Sequence, residues 1–318
     1  MAVFLARRVA LALVTLWVLS VIVFVGAQVL PGNPGRAILG PFADDAAVEQ
    51  LNRELGYDEP ILTRYWDWLS GFLQGDMGTS YIFDAPVSDF IGDALVNSLQ
   101  LALFALVLVI PVSILGGVIA ALRVGRLTDR VITVTGLSLA VVPEFVTGIV
   151  LILLFGIWLD LLPVTATAPA GVGFFEGLKY LLLPALALTA VLFGYIARMA
   201  RAGTVTSLDS DYTRTAVLKG LPRRTVIGRH VLRNSLLPTI TVIAVQAGFM
   251  MGGLVVIERL FNYQGMGLLI FNAATRKDFP MLQSAVLVVG IIFIMTTLVA
   301  DLLTSLLNPR IRVTKVEA

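Results

Sequence analysis

The sequence of 318 residues has no cysteine and one histidine, and charged residues make up only 14%, against roughly 25% in ordinary soluble chains. Without cysteine there is no disulfide framework, thiolate metal site or cysteine nucleophile. A lone His230 excludes a multi-histidine metal centre. No Gly-x-x-x-x-Gly-Lys-[Ser/Thr] stretch occurs, nor any Gly-Lys dipeptide, so this chain cannot cradle nucleotide phosphates in that way. So few charges cannot cover the surface of a soluble protein of this length, and a 58% share of AVILMFWYC residues excludes disorder. The net charge of +2 matters less than its distribution.

What the chain has is long uncharged runs: 9–35, 94–122, 234–257 and 279–300, with shorter ones at 180–197 and 145–159. A helix needs about 20 mostly apolar residues to cross a bilayer core, and buried soluble helices usually stop short of this and keep a polar stripe. Six spans are predicted, at about 9–29, 95–121, 133–158, 180–199, 236–257 and 283–306. They must be helical, because an open strand edge cannot be satisfied in lipid. Arg7 and Arg8 precede a run longer than a signal core, and Val25-Gly26-Ala27 is a poor cleavage site, so 1–30 reads as an uncleaved signal anchor. With the N-terminus inside, 16 of the 23 basic residues fall on cytoplasmic segments, which puts both termini in the cytoplasm. The expected fold is an all-α membrane protein. It has an extracytoplasmic loop domain at 31–94, a transmembrane domain at 95–308 with an inner loop at 200–235, and a cytoplasmic tail at 309–318.

The outer loop carries 11 Asp and Glu. Asp44 or Asp45 suits the start of a helix with Val48, Leu51 and Leu55 on one face, ended by Gly56. Pro60 suits the first turn of a second, with Ile61, Tyr65, Leu69 and Phe72 on one side. Such a loop serves either as a contact for a soluble partner or as a lid packed on its own helices. In the inner loop, Ser207 to Asp211 offers caps, Tyr212 to Leu221 fits three helical turns, and Pro222 stops them. Ala216 and Gly220, four apart, predict a side-chain-poor strip on one face, with Tyr212 and Leu221 nearby and Arg214 and Lys219 pointing elsewhere. That strip fits docking into another protein's cleft; the competing reading is a basic segment on anionic headgroups.

Polar groups in the spans are sparse. Glu144, beside Pro143, is an intramembrane charge of the kind that faces a cavity or a partner. Glu258 ends the fifth span, and Gly265 and Gly267 after it permit tight bends, compatible with a re-entrant scoop, an outer gate or an interfacial cap. Gly136-Leu137-Ser138-Leu139-Ala140 looks superficially like a serine-protease motif, but the only histidine is in the wrong place to serve it. A secondary carrier would be expected to show an internal repeat or paired interrupted helices, and neither is evident.

The motifs in order resemble the permease subunits of the dipeptide/oligopeptide/nickel branch of bacterial ABC importers. They begin with Arg7-Arg8, Leu30-Pro31-Gly32-Asn33-Pro34, Leu55-Gly56 with Pro60 and Tyr65, and Gly75-Asp76-Met77-Gly78-Thr79-Ser80. Pro143, Phe145 and Leu183-Pro184-Ala185-Leu186 follow. Asp211-Tyr212, Thr215-Ala216, Lys219-Gly220-Leu221, Arg229-His230, Arg233-Asn234 and Leu237-Pro238 form the centre of the match. Glu258, Phe261, Gly265, Gly267, Asp278, Pro280, Gln283 and Asn308-Pro309-Arg310 complete it. By position the family's Glu-Ala-Ala falls on Arg214, Thr215 and Ala216, its glycine on Gly220, and the distance to Leu237-Pro238 is longer than in the general motif. Both departures are usual in the peptide branch.

The resemblance implies that the short inner helix, with Asp211, Tyr212, Arg214, Thr215, Ala216, Lys219, Gly220 and Leu221, is a coupling helix seated on a cytoplasmic ATPase. Glu144, Glu258, Phe261, Gly265 and Gly267 are then the candidates for the translocation path or outer gate. It further implies a homologous second permease, two ATPase subunits that hold ATP and Mg, an extracytoplasmic binding protein, and membrane lipid around the spans. This chain would bind no cofactor, metal or nucleic acid and catalyse nothing. The implied cargo is di- or oligopeptides, with nickel chelates, glutathione or haem as alternatives.

Overall fold

The computed structural model describes residues 2–29, 33–40, 42–169 and 171–307, and among them the regular structure is helical. Leu30-Pro31-Gly32, Asn308-Pro309-Arg310 and the 309–318 tail lie outside the described residues.

The apolar run after the paired arginines is α1, Ala2–Val29. Three short helices follow. In α2, Pro34–Leu39, the Asn33 side chain caps the start by accepting from the Arg36 N–H. Then come α3, Asp45–Glu54, and α4, Ile61–Leu73. Both match the sequence expectation, with Gly56 left-handed (φ +72) past α3, although the Asp44 side chain makes no capping bond and Pro60 sits just before the first turn of α4. Pro86 leads into α5, Val87–Leu122. Next are α6, Leu127–Val141, and α7, Glu144–Leu151, which continues as a π-helix over Ile152–Trp158. The long α8, Phe174–Leu208, turns into α9, Asp211–Leu218. A single turn, α10, Arg223–Thr225, and a π-helical stretch, Val226–Val231, lead into α11, Leu232–Leu260. The described chain closes with α12, Met266–Arg276, and α13, Phe279–Leu307.

Among the described residues four helices, Ala6–Val29, Val87–Leu122, Phe174–Leu208 and Phe279–Leu302, are long and apolar enough to cross a membrane; two bent pairs raise the number to six if each is one span. The third expected span, 133–158, is not one helix. Its axis turns by 108° between α6 and α7. Val142 is extended (φ −72, ψ 126), the conformation that a following proline imposes, so α6 stops at Val141 and Pro143 begins a new direction. The second pair, Arg223–Met250 and Gly252–Leu260, is bent by 55°, where two adjacent glycines weaken the helix.

The chain divides into two compact units. The first comprises the described residues of Met1–Leu99 and Tyr263–Ile294, the second those of Gln100–Asn262 and Met295–Ala318. In the first, α4 packs on α1: Tyr65 shares a hydrogen bond with Ser20 at 2.8 Å and meets Phe24 edge-on. Its core joins the start of α5 (Val87, Ile91, Ala94), α12 (Met266, Ala273) and the start of α13 (Met281, Ala285). In the second unit α8 is central, with 61% of its apolar window buried against 11% for α1. A Cβ on Gly194 would lie 2.1 Å from the Gly136 carbonyl oxygen, and one on Gly203 would lie 2.3 Å from that of Ser235. These glycines let α6 and α11 approach the backbone of α8, the small-residue packing that stands in for hydrophobic attraction in lipid.

Candidate functional site

The short inner helix ends sooner than its sequence suggests. Helix α9 closes at Leu218, and Gly220 lies beyond it with φ +73. The Leu221 N–H reaches back to the Ala216 carbonyl at 3.4 Å and the Gly220 N–H to that of Val217 at 2.9 Å, a Schellman closure that needs the left-handed glycine. The expected strip of Ala216 and Gly220 on one helix face is therefore not formed. Ala216 points inward against Val226, Val231 and Leu208, and Gly220 belongs to the turn.

What faces outward is apolar bulk. Tyr212, Val217, Leu218 and Leu221 are all exposed, Leu218 by 81%. Asp211, Arg214, Thr215, Lys219 and Gly220 are exposed too, as are Arg223 and Arg224 beyond the turn. The inward face fastens the helix: Thr213 Oγ1 donates to the Ser207 carbonyl at 2.7 Å, and Ser210 Oγ donates to the same oxygen at 2.6 Å. Thr213 and Ala216 thus anchor α9 to the end of α8 and to the π-helical stretch, and four large apolar side chains remain in the open.

In the second unit Glu144 is the first residue after the 108° break. Its carboxylate lies against Gly253 of α11, where a Cβ would come within 2.9 Å of Oε1. Glu258 and Phe261 are fully buried at the end of α11. The Phe261 ring sits where α7 passes, 3.2 Å from the place a Cβ on Gly148 would occupy, and its carbonyl accepts from the Ala166 N–H at 2.8 Å. Thr167 donates to the next carbonyl, that of Asn262. The tight bend expected at Gly265 and Gly267 falls instead on Asn262 (φ +50), one of the residues best able to adopt a left-handed backbone.

In the first unit Gly265 and Gly267 are buried at the start of α12, whose Met266 N–H is capped by Ser98 Oγ of α5 at 2.8 Å. Helix α12 was not legible as a helix, and it is left by a second left-handed residue, Lys277 (φ +61). Next to it lies a cluster that sequence reasoning missed. The buried carboxylate of Asp278 accepts from Ser80 Oγ at 2.5 Å, from the Tyr81 N–H at 3.3 Å and from the Met281 N–H at 3.4 Å. Ser284 donates to the Met77 carbonyl. The motif Gly75-Asp76-Met77-Gly78-Thr79-Ser80 is thereby pinned to the head of α13. Burial, together with the neighbouring Tyr57 and Asp278, pushes the Tyr81 phenol up, so it stays neutral. Replacing Ser80 by alanine removes a bond to a buried carboxylate, and the purified chain should lose about 1.5–3 kcal/mol of stability. A thermal melt checks this, and an unchanged midpoint would mean that Ser80 is incidental.

Against known proteins, the family described as "Binding-protein-dependent transport system inner membrane component" matches residues 113–313, and its N-terminal companion matches residues 1–102. The chain is 35% identical over 301 residues to the "Glutathione transport system permease protein GsiC" of Escherichia coli (strain K12), covering 94% of this chain and 95% of that protein. The protein of the same name from Shigella flexneri serotype 5b (strain 8401) matches with the same identity and coverage.

Proposed function

The chain belongs to the inner-membrane components of binding-protein-dependent transport systems, and from that premise we propose that it is the six-span permease subunit of an ABC importer for short peptides. Membership makes it a bacterial inner-membrane permease component. The finer reading counts each bent pair as one crossing and keeps both ends in the cytoplasm, which the positions of 16 of the 23 basic residues support. A homologous permease, two ATPase subunits carrying ATP and Mg, and an extracytoplasmic binding protein complete the machine. This chain is its non-catalytic conduit.

The observation that carries the mechanism is the exposed apolar group on α9 above an anchored inner face. Tyr212, Val217 and Leu218 on this two-turn helix, with Leu221 just past its closing turn, suit a cleft in the ATPase, and Thr213 and Ala216 hand the motion of that cleft to α8 and to the π-helical stretch that leads into α11. The spans then change between inward- and outward-facing arrangements as ATP biases a bistable assembly. Glu144, at a break in the helix, lines the path in this reading. Glu258, Phe261, Gly265 and Gly267 are buried and act on an outer gate through packing.

The named relatives favour a second reading of the cargo, glutathione, itself a short peptide. The test is uptake by cells that lack the importer and by cells in which it is restored, using labelled Ala-Phe and labelled glutathione, with co-purification of the chain in mild detergent. Restored dipeptide uptake with a P-loop ATPase in the complex is the expected result. Restoration of glutathione alone selects the second reading. A chain recovered alone that transports in liposomes without ATP would make it a secondary carrier.

A further inference from the structure

The first unit contains a cavity of about 430 Å³, with Gly265 and Asp278 on its wall, whose space has been given no role above. Its walls include the start of α5, with Phe90 and Asp93, and α12, with Asn272 and Arg276; Phe83 and Met281 also line it. The rings of Phe83 and Phe90 are stacked, 4.9 Å between centroids, and give one side a flat apolar surface. Asp93 and Arg276 carry opposite charges into the same space. Yet among the described residues neither forms an ion pair within 4.0 Å, with the other or with any third group.

That arrangement narrows the ligand. An anion would meet Asp93, a cation would meet Arg276, and an apolar molecule would leave both unanswered. A molecule with one charge of each sign and an apolar body satisfies the carboxylate, the guanidinium and the stacked rings together. The volume falls in the usual range for small-ligand sites, about 300–1,000 Å³. We infer that this cavity is a binding site for zwitterionic short peptides, with Asp93 facing the ammonium group, Arg276 the carboxylate and Phe83–Phe90 an apolar side chain. The permease would then recognise cargo itself, on the face assigned to the outside, in addition to the selection made by the binding protein. This rests on the short-peptide reading above.

The test uses the full chain with its co-purifying membrane partners in nanodiscs, without the soluble binding protein. Saturation-transfer NMR titrations with Ala-Phe, N-acetyl-Ala-Phe and Ala-Phe-amide read affinity, and uptake of Ala-Phe by intact cells is measured beside them. Arg276→Gln and Asp93→Asn each change an exposed side chain, and retained co-purification with the partners shows that the fold survives. Either variant should weaken Ala-Phe binding about tenfold or more, the usual loss for a charge-assisted hydrogen bond. Arg276→Gln should also stop distinguishing the free from the amidated carboxyl end, and Asp93→Asn the free from the acetylated amine. Equal binding of capped and free dipeptides by the unaltered protein, no binding at all, or unchanged affinity in both variants would overturn the site. The uptake arm reads separately: absent dipeptide uptake removes the peptide reading, whereas intact uptake with no nanodisc binding removes the cavity assignment alone.

Discussion

A chain carrying Leu218→Glu should insert, fold and purify like the unaltered protein, yet lose the ATPase proposed to dock on α9 and with it all uptake. Leu218 is 81% exposed at the tip of α9 and contributes to neither Thr213's hydrogen bond nor the Ala216 seat. Burying an unpaired carboxylate in an apolar cleft is strongly unfavourable, and a central apolar anchor at an interface is worth about 2 kcal/mol or more. The association should therefore weaken roughly thirtyfold at least. Other positions on the same loop discriminate less well. Glutamate at Ala216 would be forced into a buried position, and at Gly220 it would strain a backbone held at φ +73, so either could fail for reasons unrelated to docking. Size-exclusion profile, ATPase recovery and cellular uptake are the three readouts. Normal uptake with the ATPase still bound would end the coupling assignment of α9.

Asp129→Ala should clearly destabilise the second unit. The Asp129 carboxylate is 5% exposed and takes a two-pronged grip from Arg201, at 2.6 and 2.8 Å, together with the Gly125 N–H at 2.9 Å. It ties α6 to α8 and closes the turn between α5 and α6. Alanine leaves the Arg201 guanidinium, 30% exposed, without its carboxylate and the Gly125 N–H without its acceptor, a loss of about 1.5–3 kcal/mol, the usual worth of hydrogen bonds to a charged group. Even about 1–2 kcal/mol is a large fraction of the stability of many domains. The melting temperature in detergent should fall sharply. A charge swap, Asp129→Arg with Arg201→Asp, should recover only part of it, since the Gly125 N–H would then point at a cation. A melt for Asp129→Ala that superimposes on the unaltered protein would show the pair to be ornamental.

The helices were legible because their signal is the absence of charge over long runs, and lipid leaves no other way to satisfy a backbone. The outer helices were legible from their punctuation: Gly56 ends α3 and Pro60 precedes α4 as their chemistry requires. Four features were not. Pro143 announced a bend, but 108° depends on Val142 turning extended. The spacing of Ala216 and Gly220 suggested one face, while spacing cannot say whether a face looks in or out, or that the helix stops before its glycine. Helix α12 was hidden because Gly265 and Gly267 suggested turns, whereas the turns fell on Asn262 and Lys277. The chemistry of Asp278 could not be found locally at all, since its partner Ser80 is 198 residues away.

That distance has a consequence for how the protein is made. Ribosomes add about 5–20 residues per second, so the Gly75–Ser80 motif waits on the order of 10–40 s before Asp278 has been synthesised. Throughout that interval the segment must persist without the carboxylate that pins it, and the head of α13 supplies that fastening only once Asp278 has been made. A nascent chain stalled before residue 278 should therefore be cut readily by an external protease within 75–86, while the finished chain resists at the same place. A helix translated 198 residues later is what locks the segment that ends at Ser80.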